Sequence, residues 1–179
     1  MVYILLADGF EEIEAVYPTD FLRRCGVEIN TVGVAGAYVT GSHDIVIKSD
    51  IVIDDVDSDN VKMLILPGGP GRVNITKSEK ATSLIRKCYD NSVPIAAICG
   101  APEVLASLGC LDGKTVTCFP GLEKNLTGAV HSDELVVTDG NLITSQAAGT
   151  SDLFSYAIAS FLCGSDKANE VFEQMKCHR

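Results

Sequence analysis

Val93-Pro94-Ile95-Ala96-Ala97-Ile98-Cys99-Gly100-Ala101-Pro102-Glu103-Val104-Leu105-Ala106 changes character half-way along. Its first six residues form a short apolar run of the kind that makes a buried strand. From Ala101 the chain reads as a helix, with Pro102 in the first turn, where a missing N–H costs nothing. Cys99 stands at the junction, on a sharp strand-to-helix turn resembling a nucleophile elbow. Free N–H groups and the positive end of the helix favour a thiolate there. The alternative reading is a small buried apolar residue, which is what most free cysteines are. The other six cysteines fall within or beside expected helices and strands and read as structural.

The same alternation runs outward through the chain. Strands are expected at Val2–Ala7, Glu28–Val34, Met63–Leu66, Pro94–Ile98, Thr115–Cys118 and Asn141–Thr144. Between them lie segments of helical period, which marks βαβ units and a mostly parallel sheet. Asp44–Ile53 alternates Ile45, Ile47, Ile51 and Ile53 and predicts a hairpin or an edge addition. Glu11–Cys25 reads as a helix stopped by Gly26, kinked or divided at Pro18. Thr76 and Glu79 have capping-box spacing ahead of a helix over Ser78–Tyr89. Thr150–Cys163 places Leu153, Phe154, Ala157, Ile158, Phe161 and Leu162 on one face, and a last helix covers Asp166–Lys176. No repeat or long linker interrupts the chain, so residues 1–179 are expected to form one α/β domain.

Composition narrows the function. The 179 residues carry a formal charge of −10, with no cluster of Lys and Arg, which argues against nucleic acid and anionic lipid. No apolar run approaches the roughly 18–20 residues needed to span a bilayer. Met1–Ala7 has no basic start and meets Asp8-Gly9 too soon for a signal peptide. Seven cysteines, an odd number without C-x-x-C pairs, point to a reducing interior and a cytoplasmic location. His43, His131 and His178 share no metal-ligand spacing, so neither a metal nor an organic cofactor is expected.

In an open parallel sheet, sites form beyond the carboxyl ends of the strands. Four small-residue loops occupy that position: Asp8–Glu14, Pro67–Gly71, Cys99–Pro102 and Ser145–Gly149. One carries the thiol, another carboxyls. Of Glu11, Glu12 and Glu14, any can be a solvated first-turn residue complementing the helix dipole. Gly68-Gly69 can be a plain turn, or can let a backbone N–H face the cleft. The run Gly68-Gly69-Pro70-Gly71-Arg72 has neither the Lys-Ser/Thr ending of a phosphate loop nor G-x-G-x-x-G spacing, which disfavours a phosphate or flavin module.

Taken in order, Asp8–Pro18, Leu66–Gly69, Ala96–Pro102, Val116–Pro120 and Thr144–Ser151 resemble the ThiJ/PfpI superfamily over nearly the whole chain. The similarity is to the branch that includes the parkinsonism-associated protein deglycase. It implies a flavodoxin-like three-layer sandwich, helices on both faces of the sheet, and a homodimer. By motif position Cys99 matches the family's oxidisable nucleophile and Glu14 the carboxyl that hydrogen-bonds it. The N–H groups of Gly69 and Gly100 match an oxyanion pocket, and His131 and Arg24 are further candidates. His43 falls where some relatives carry an arginine. A carboxylate about 3 Å from a thiolate would repel it, so the pair must retain one proton, most simply on Glu14. Gly100 replaces the histidine that follows the nucleophile in peptidase members, which counts against a cysteine peptidase or amidase.

The resemblance implies a cofactor-independent glyoxalase or deglycase acting on methylglyoxal-type dicarbonyls and glycated proteins, with a role in oxidative stress. The alternative is a non-enzymatic redox sensor or chaperone working through oxidation of Cys99. The thiazole-biosynthesis label attached to the superfamily has no specific residues behind it here.

Overall fold

The computed structural model describes residues 1–177 and resolves how the apolar runs are shared between two faces of one sheet. In chain order the elements are β1 (Val2–Leu6), α1 (Glu12–Arg24), β2 (Ile29–Gly33), β3 (Tyr38–Thr40), β4 (Val46–Lys48) and β5 (Ile51–Val52), then β6 (Met63–Leu66), α2 (Arg72–Lys77), α3 (Glu79–Asp90), β7 (Ile95–Ile98) and α4 (Pro102–Ser107). There follow β8 (Thr115–Val116), β9 (Val130–His131), β10 (Val136–Asp139), β11 (Leu142–Ser145), α5 (Ser151–Cys163) and α6 (Ser165–Gln174). The main sheet has the order β10-β11-β7-β6-β1-β2-β5. Its pairings are parallel except that β10 runs antiparallel to β11.

Successive strand side chains point to opposite faces, so each strand supplies two cores. Tyr3, Leu5, Leu64, Leu66, Ile95 and Ala97 pack with α3 and α4 through Leu84, Ile85, Val104 and Leu105. Val2, Ile4, Leu6, Met63, Ile65, Ala96 and Ile98 pack with α1, α5 and α6 through Phe21, Phe154, Ile158 and Phe172. Both faces being covered explains why the central strands read as unbroken apolar runs. The expected flavodoxin-like, three-layer arrangement is what the chain adopts. No helix among the described residues is long and apolar enough to cross a membrane.

Several expectations change in detail. Asp44–Ile53 supplies both of the alternatives foreseen for it, because β4 pairs antiparallel with β3 while β5 adds in parallel to the β2 edge. Thr115–Cys118 leaves the main sheet: β8 pairs with β9 instead, and the Thr117 N–H donates to Thr144 Oγ1 at 3.0 Å. The capping box at Thr76 and Glu79 does not form. Thr76 belongs to α2, where its hydroxyl donates to the Val73 carbonyl, and Ser78 caps α3 by accepting from the Ala81 N–H. Nor does Pro18 divide α1. A proline forfeits one helical hydrogen bond, and here its ring is buried in compensation. Phe161 is exposed, since the buried side of α5 is Phe154, Ser155, Ile158 and Ala159. The last helix ends at Gln174, and His178 lies outside the described residues.

The two phenylalanines of α5 provide a test of this placement. Phe154→Ala should cost about 3–5 kcal/mol in denaturant unfolding. Phe161→Ala should change stability by no more than about 0.5 kcal/mol. Equal costs would contradict the assigned face.

Candidate active site

β7 delivers Cys99 beyond the carboxyl edge of the sheet in a left-handed conformation, φ +64°. A non-glycine residue pays about 1–2 kcal/mol for this backbone, and hydrogen bonds on both sides hold it there. The Cys99 N–H donates to the Ser145 carbonyl at 2.9 Å, and its own carbonyl accepts from the Phe119 N–H at 2.8 Å. The Ala101 N–H closes the turn onto the Ile98 carbonyl at 3.0 Å. α4 has six residues, so the donors nearest the sulfur count for more than a long helix dipole. Those donors are the backbone N–H groups of Gly69 and Gly100.

α1 brings Glu14 to the same point. Its side chain is fully buried, and Oε2 accepts the Gly68 N–H at 2.8 Å. Oε1 meets no nitrogen or oxygen partner, and the carboxyl interacts with the Cys99 thiol. Gly68 is required for this approach: a Cβ there would stand 2.8 Å from Cys99 Cβ and 2.9 Å from Glu14 Oε2. The three glutamates of this segment are thereby told apart. Glu12 accepts the His43 N–H at 2.7 Å and the His43 ring nitrogen at 2.9 Å. Burial opposes its charge, but the hydrogen bonds from His43 and Ser42 win and hold it at about 2. Glu14 has only the Gly68 N–H and the thiol against a larger burial effect, and rises to about 7.

Burial and then the Glu14 charge push the Cys99 thiol up to about 12, against the pull of the Gly69 and Gly100 N–H groups. The turn therefore does not by itself produce a free thiolate, as the sequence led one to expect. The first ionisation near 7 belongs to the coupled pair, which then carries one proton and one negative charge.

The four loops interlock around this pair. The Glu11 N–H donates to the Gly68 carbonyl at 3.0 Å and the Gly71 N–H to the Gly9 carbonyl at 2.7 Å. Arg72, unassigned from sequence, lies across Gly100, where a Cβ would meet its Cδ at 2.8 Å. Its Nε binds Glu103 Oε2 at 2.6 Å and its Nη1 donates to the Gly69 carbonyl at 3.3 Å. A cation thus braces both N–H-bearing loops; its signal was an arginine ending a glycine run.

This strand-turn-helix thiol with a buried carboxyl partner coincides with a match to the DJ-1/PfpI family model over residues 1–160. The chain belongs to the DJ-1/PfpI family. It is 38% identical over 172 residues to protein dj-1beta of Drosophila melanogaster, covering 94% of this chain and 92% of that one. To the deglycase PfpI of Pyrococcus furiosus it is 32% identical over 157 residues, 87% of this chain and 93% of that protein. The crystal structure of Drosophila DJ-1beta superposes with a TM-score of 0.95 at 36% identity, covering 99% and 98% of the two chains.

Within this DJ-1/PfpI fold the remaining candidates disperse. Arg24 is half exposed near the end of α1 and pairs with Asp20 at 2.8 Å, an ordinary solvated helix pair. His131 sits on β9 with Asp133 3.9 Å from its Nδ1 and belongs with Cys118 and Glu123. His43 is tied to Glu12.

Because the folded Glu14 titrates near 7 and an ordinary glutamate near 4.5, the native state holds a proton that the unfolded chain has released between these values. Its stabilising contribution is complete below about 4.5 and lost as pH rises through about 7, some 3 kcal/mol in all. Urea unfolding across this range should therefore show wild type losing about that much relative to Glu14→Gln. Parallel profiles for the two proteins would exclude a raised Glu14.

Proposed function

We propose that this DJ-1/PfpI protein is an enzyme that uses Cys99 and Glu14 to convert methylglyoxal-type dicarbonyls, free or as early adducts on proteins, to hydroxy acids. The observation that carries this reading is the buried Glu14 carboxyl, ionising near 7, against a thiol faced by two backbone N–H groups. Relatives named deglycases support it, among them those of Pyrococcus furiosus and Pyrococcus abyssi.

In the reactive tautomer the single proton is on Glu14 and the charge on sulfur. The thiolate adds to the aldehyde carbon, forming the S–C bond, and the carbonyl electrons move to oxygen opposite the Gly69 and Gly100 N–H groups. Glu14 protonates that oxygen. As carboxylate it then takes the proton from the same carbon, leaving an enediolate, and returns it to the neighbouring carbon while the hydroxyl proton passes from the first oxygen to the second. The product is an S-lactoyl thioester; water cleaves its C–S bond, releasing lactate and restoring the thiol. A reducing compartment such as the cytosol suits a protein whose seven cysteines are all free thiols.

A homodimer also fits the surface. Ile13 and Val16 of α1 and Tyr38, Ile45 and Val46 of the β3–β4 hairpin are exposed apolar side chains, on elements bridged by the Glu12–His43 contact. Such a patch is suited to a second copy.

Lactate formation from methylglyoxal, corrected for buffer-catalysed loss, should fall at least 100-fold in Cys99→Ala and by about 10²–10⁴ in Glu14→Gln, which can donate a hydrogen bond but not shuttle a proton. An unchanged rate in Cys99→Ala would overturn the mechanism. In light scattering, Val16→Asp should be monomeric where wild type is dimeric; a dimeric variant or a monomeric wild type would refute the proposed surface.

A further inference from the structure

After β8 the chain passes Cys118, makes a turn at Glu123–Asn125 and returns as β9. Parallel pairing sets Val116 opposite His131, and the Ser132 N–H donates to the Val116 carbonyl at 2.8 Å. The excursion gathers three side chains from separate segments: Cys118 Sγ, a Glu123 carboxylate oxygen and a His131 ring nitrogen all lie within 4.8 Å of one another. We propose that Cys118, Glu123 and His131 bind a zinc-class divalent cation.

The donor set selects the ion. A thiolate, an imidazole and a carboxylate suit a borderline-soft metal, and three protein ligands leave the fourth tetrahedral position to water. With metal–ligand bonds of about 2.0–2.3 Å, ligand atoms would close to between 3 and 4 Å of each other, roughly, an ångström-scale adjustment of side chains. Cys118 is buried at the base of the cluster and His131 is 27% exposed, which gives the ion a way in from one side. Two neighbours suit an outer shell. The Gly121 N–H donates to Glu123 Oε1 at 2.8 Å, and Asp133 Oδ1 stands 3.9 Å from His131 Nδ1, where a metal-bound histidine commonly has a carboxylate partner. The Cys118 thiol, which now donates to the Phe119 carbonyl at 3.4 Å, would exchange that weak contact and its proton for the metal.

A second group among the described residues, Glu11, Glu12 and His43, is a poorer host. Both oxygens of Glu12 are already engaged by His43 and Ser42. The Cys118 site also has a structural consequence. Phe119, the next residue, holds the Cys99 carbonyl, and Asn125 of the same loop reaches Glu103, the partner of Arg72. A bound cation would pin the loop behind the reactive turn.

Cobalt titration of the Cys99→Ala protein, which removes the competing reactive thiol, tests the site independently of any catalytic reading. One equivalent of Co2+ should produce sulfur-to-cobalt charge-transfer absorption with tetrahedral visible bands, and Zn2+ should displace it. Adding Cys118→Ser should abolish the charge-transfer band, and adding His131→Asn should weaken binding at least tenfold. His131 is partly exposed, so its variant keeps the test decisive even if Cys118→Ser does not fold. No charge-transfer band in Cys99→Ala, a band surviving Cys118→Ser, or unchanged affinity in His131→Asn would each overturn the assignment.

Discussion

Glu14 is fully buried with a thiol beside it, and the surrounding loops are built to keep it there. A carboxylate and a thiolate cannot both be charged in so little water, which leaves one proton to be shared. That constraint is met by the glycines around the pair. Gly68 cannot carry a side chain because the space is needed for the approach of the two groups. The Gly68 N–H is spent on Glu14, while the Gly69 and Gly100 N–H groups are spent on sulfur. Each acidic group thus has its own backbone donors, one for the carboxyl and two for the sulfur, and the balance between the two tautomers is set by which donors are better placed.

The scaffold makes this balance rigid. Four loops from neighbouring strands meet because β6, β7, β1 and β11 run parallel and end at the same edge. Their backbones are stitched directly to each other, Glu11 to Gly68 and Cys99 to Ser145, rather than through flexible side chains. The left-handed backbone at Cys99 is sustained by this stitching. Strain of a kcal/mol or two persists only where flanking contacts over-determine the conformation, and here partners on both sides do so.

The strands and the meeting of the four loops were legible because buried parallel strands leave an unmistakable apolar run and because small residues after a strand have few other uses. Cys99 was legible for the same reason. What the residues alone could not do was separate Glu14 from Glu11 and Glu12, since helical spacing places all three in one turn; the family resemblance singled out Glu14, and the difference is physical only once His43 is seen to occupy Glu12. Arg72 escaped notice because the run around it was weighed as a phosphate loop and found wanting, whereas its partners are Glu103 and the Gly69 carbonyl. Thr115–Cys118 was misplaced in the main sheet because two residues of strand look the same in either sheet. The excursion to β9 is decided by long-range pairing, to which periodicity is blind.

That same blindness bears on His131. The family resemblance offered it to the site around Cys99, and the fold gives it a different environment, beside Cys118 and Glu123. The two centres are nonetheless mechanically linked, because the backbone between Cys118 and Phe119 is one peptide away from the hydrogen bond that holds Cys99. The 118–131 excursion therefore touches Cys99 through its carbonyl, which accepts the Phe119 N–H. The same residue is faced by the Gly69 and Gly100 N–H groups, so the hydrogen bond from Phe119 and the donors at the sulfur meet on one backbone. Loop and thiol are for this reason joined through the backbone and not only through side chains.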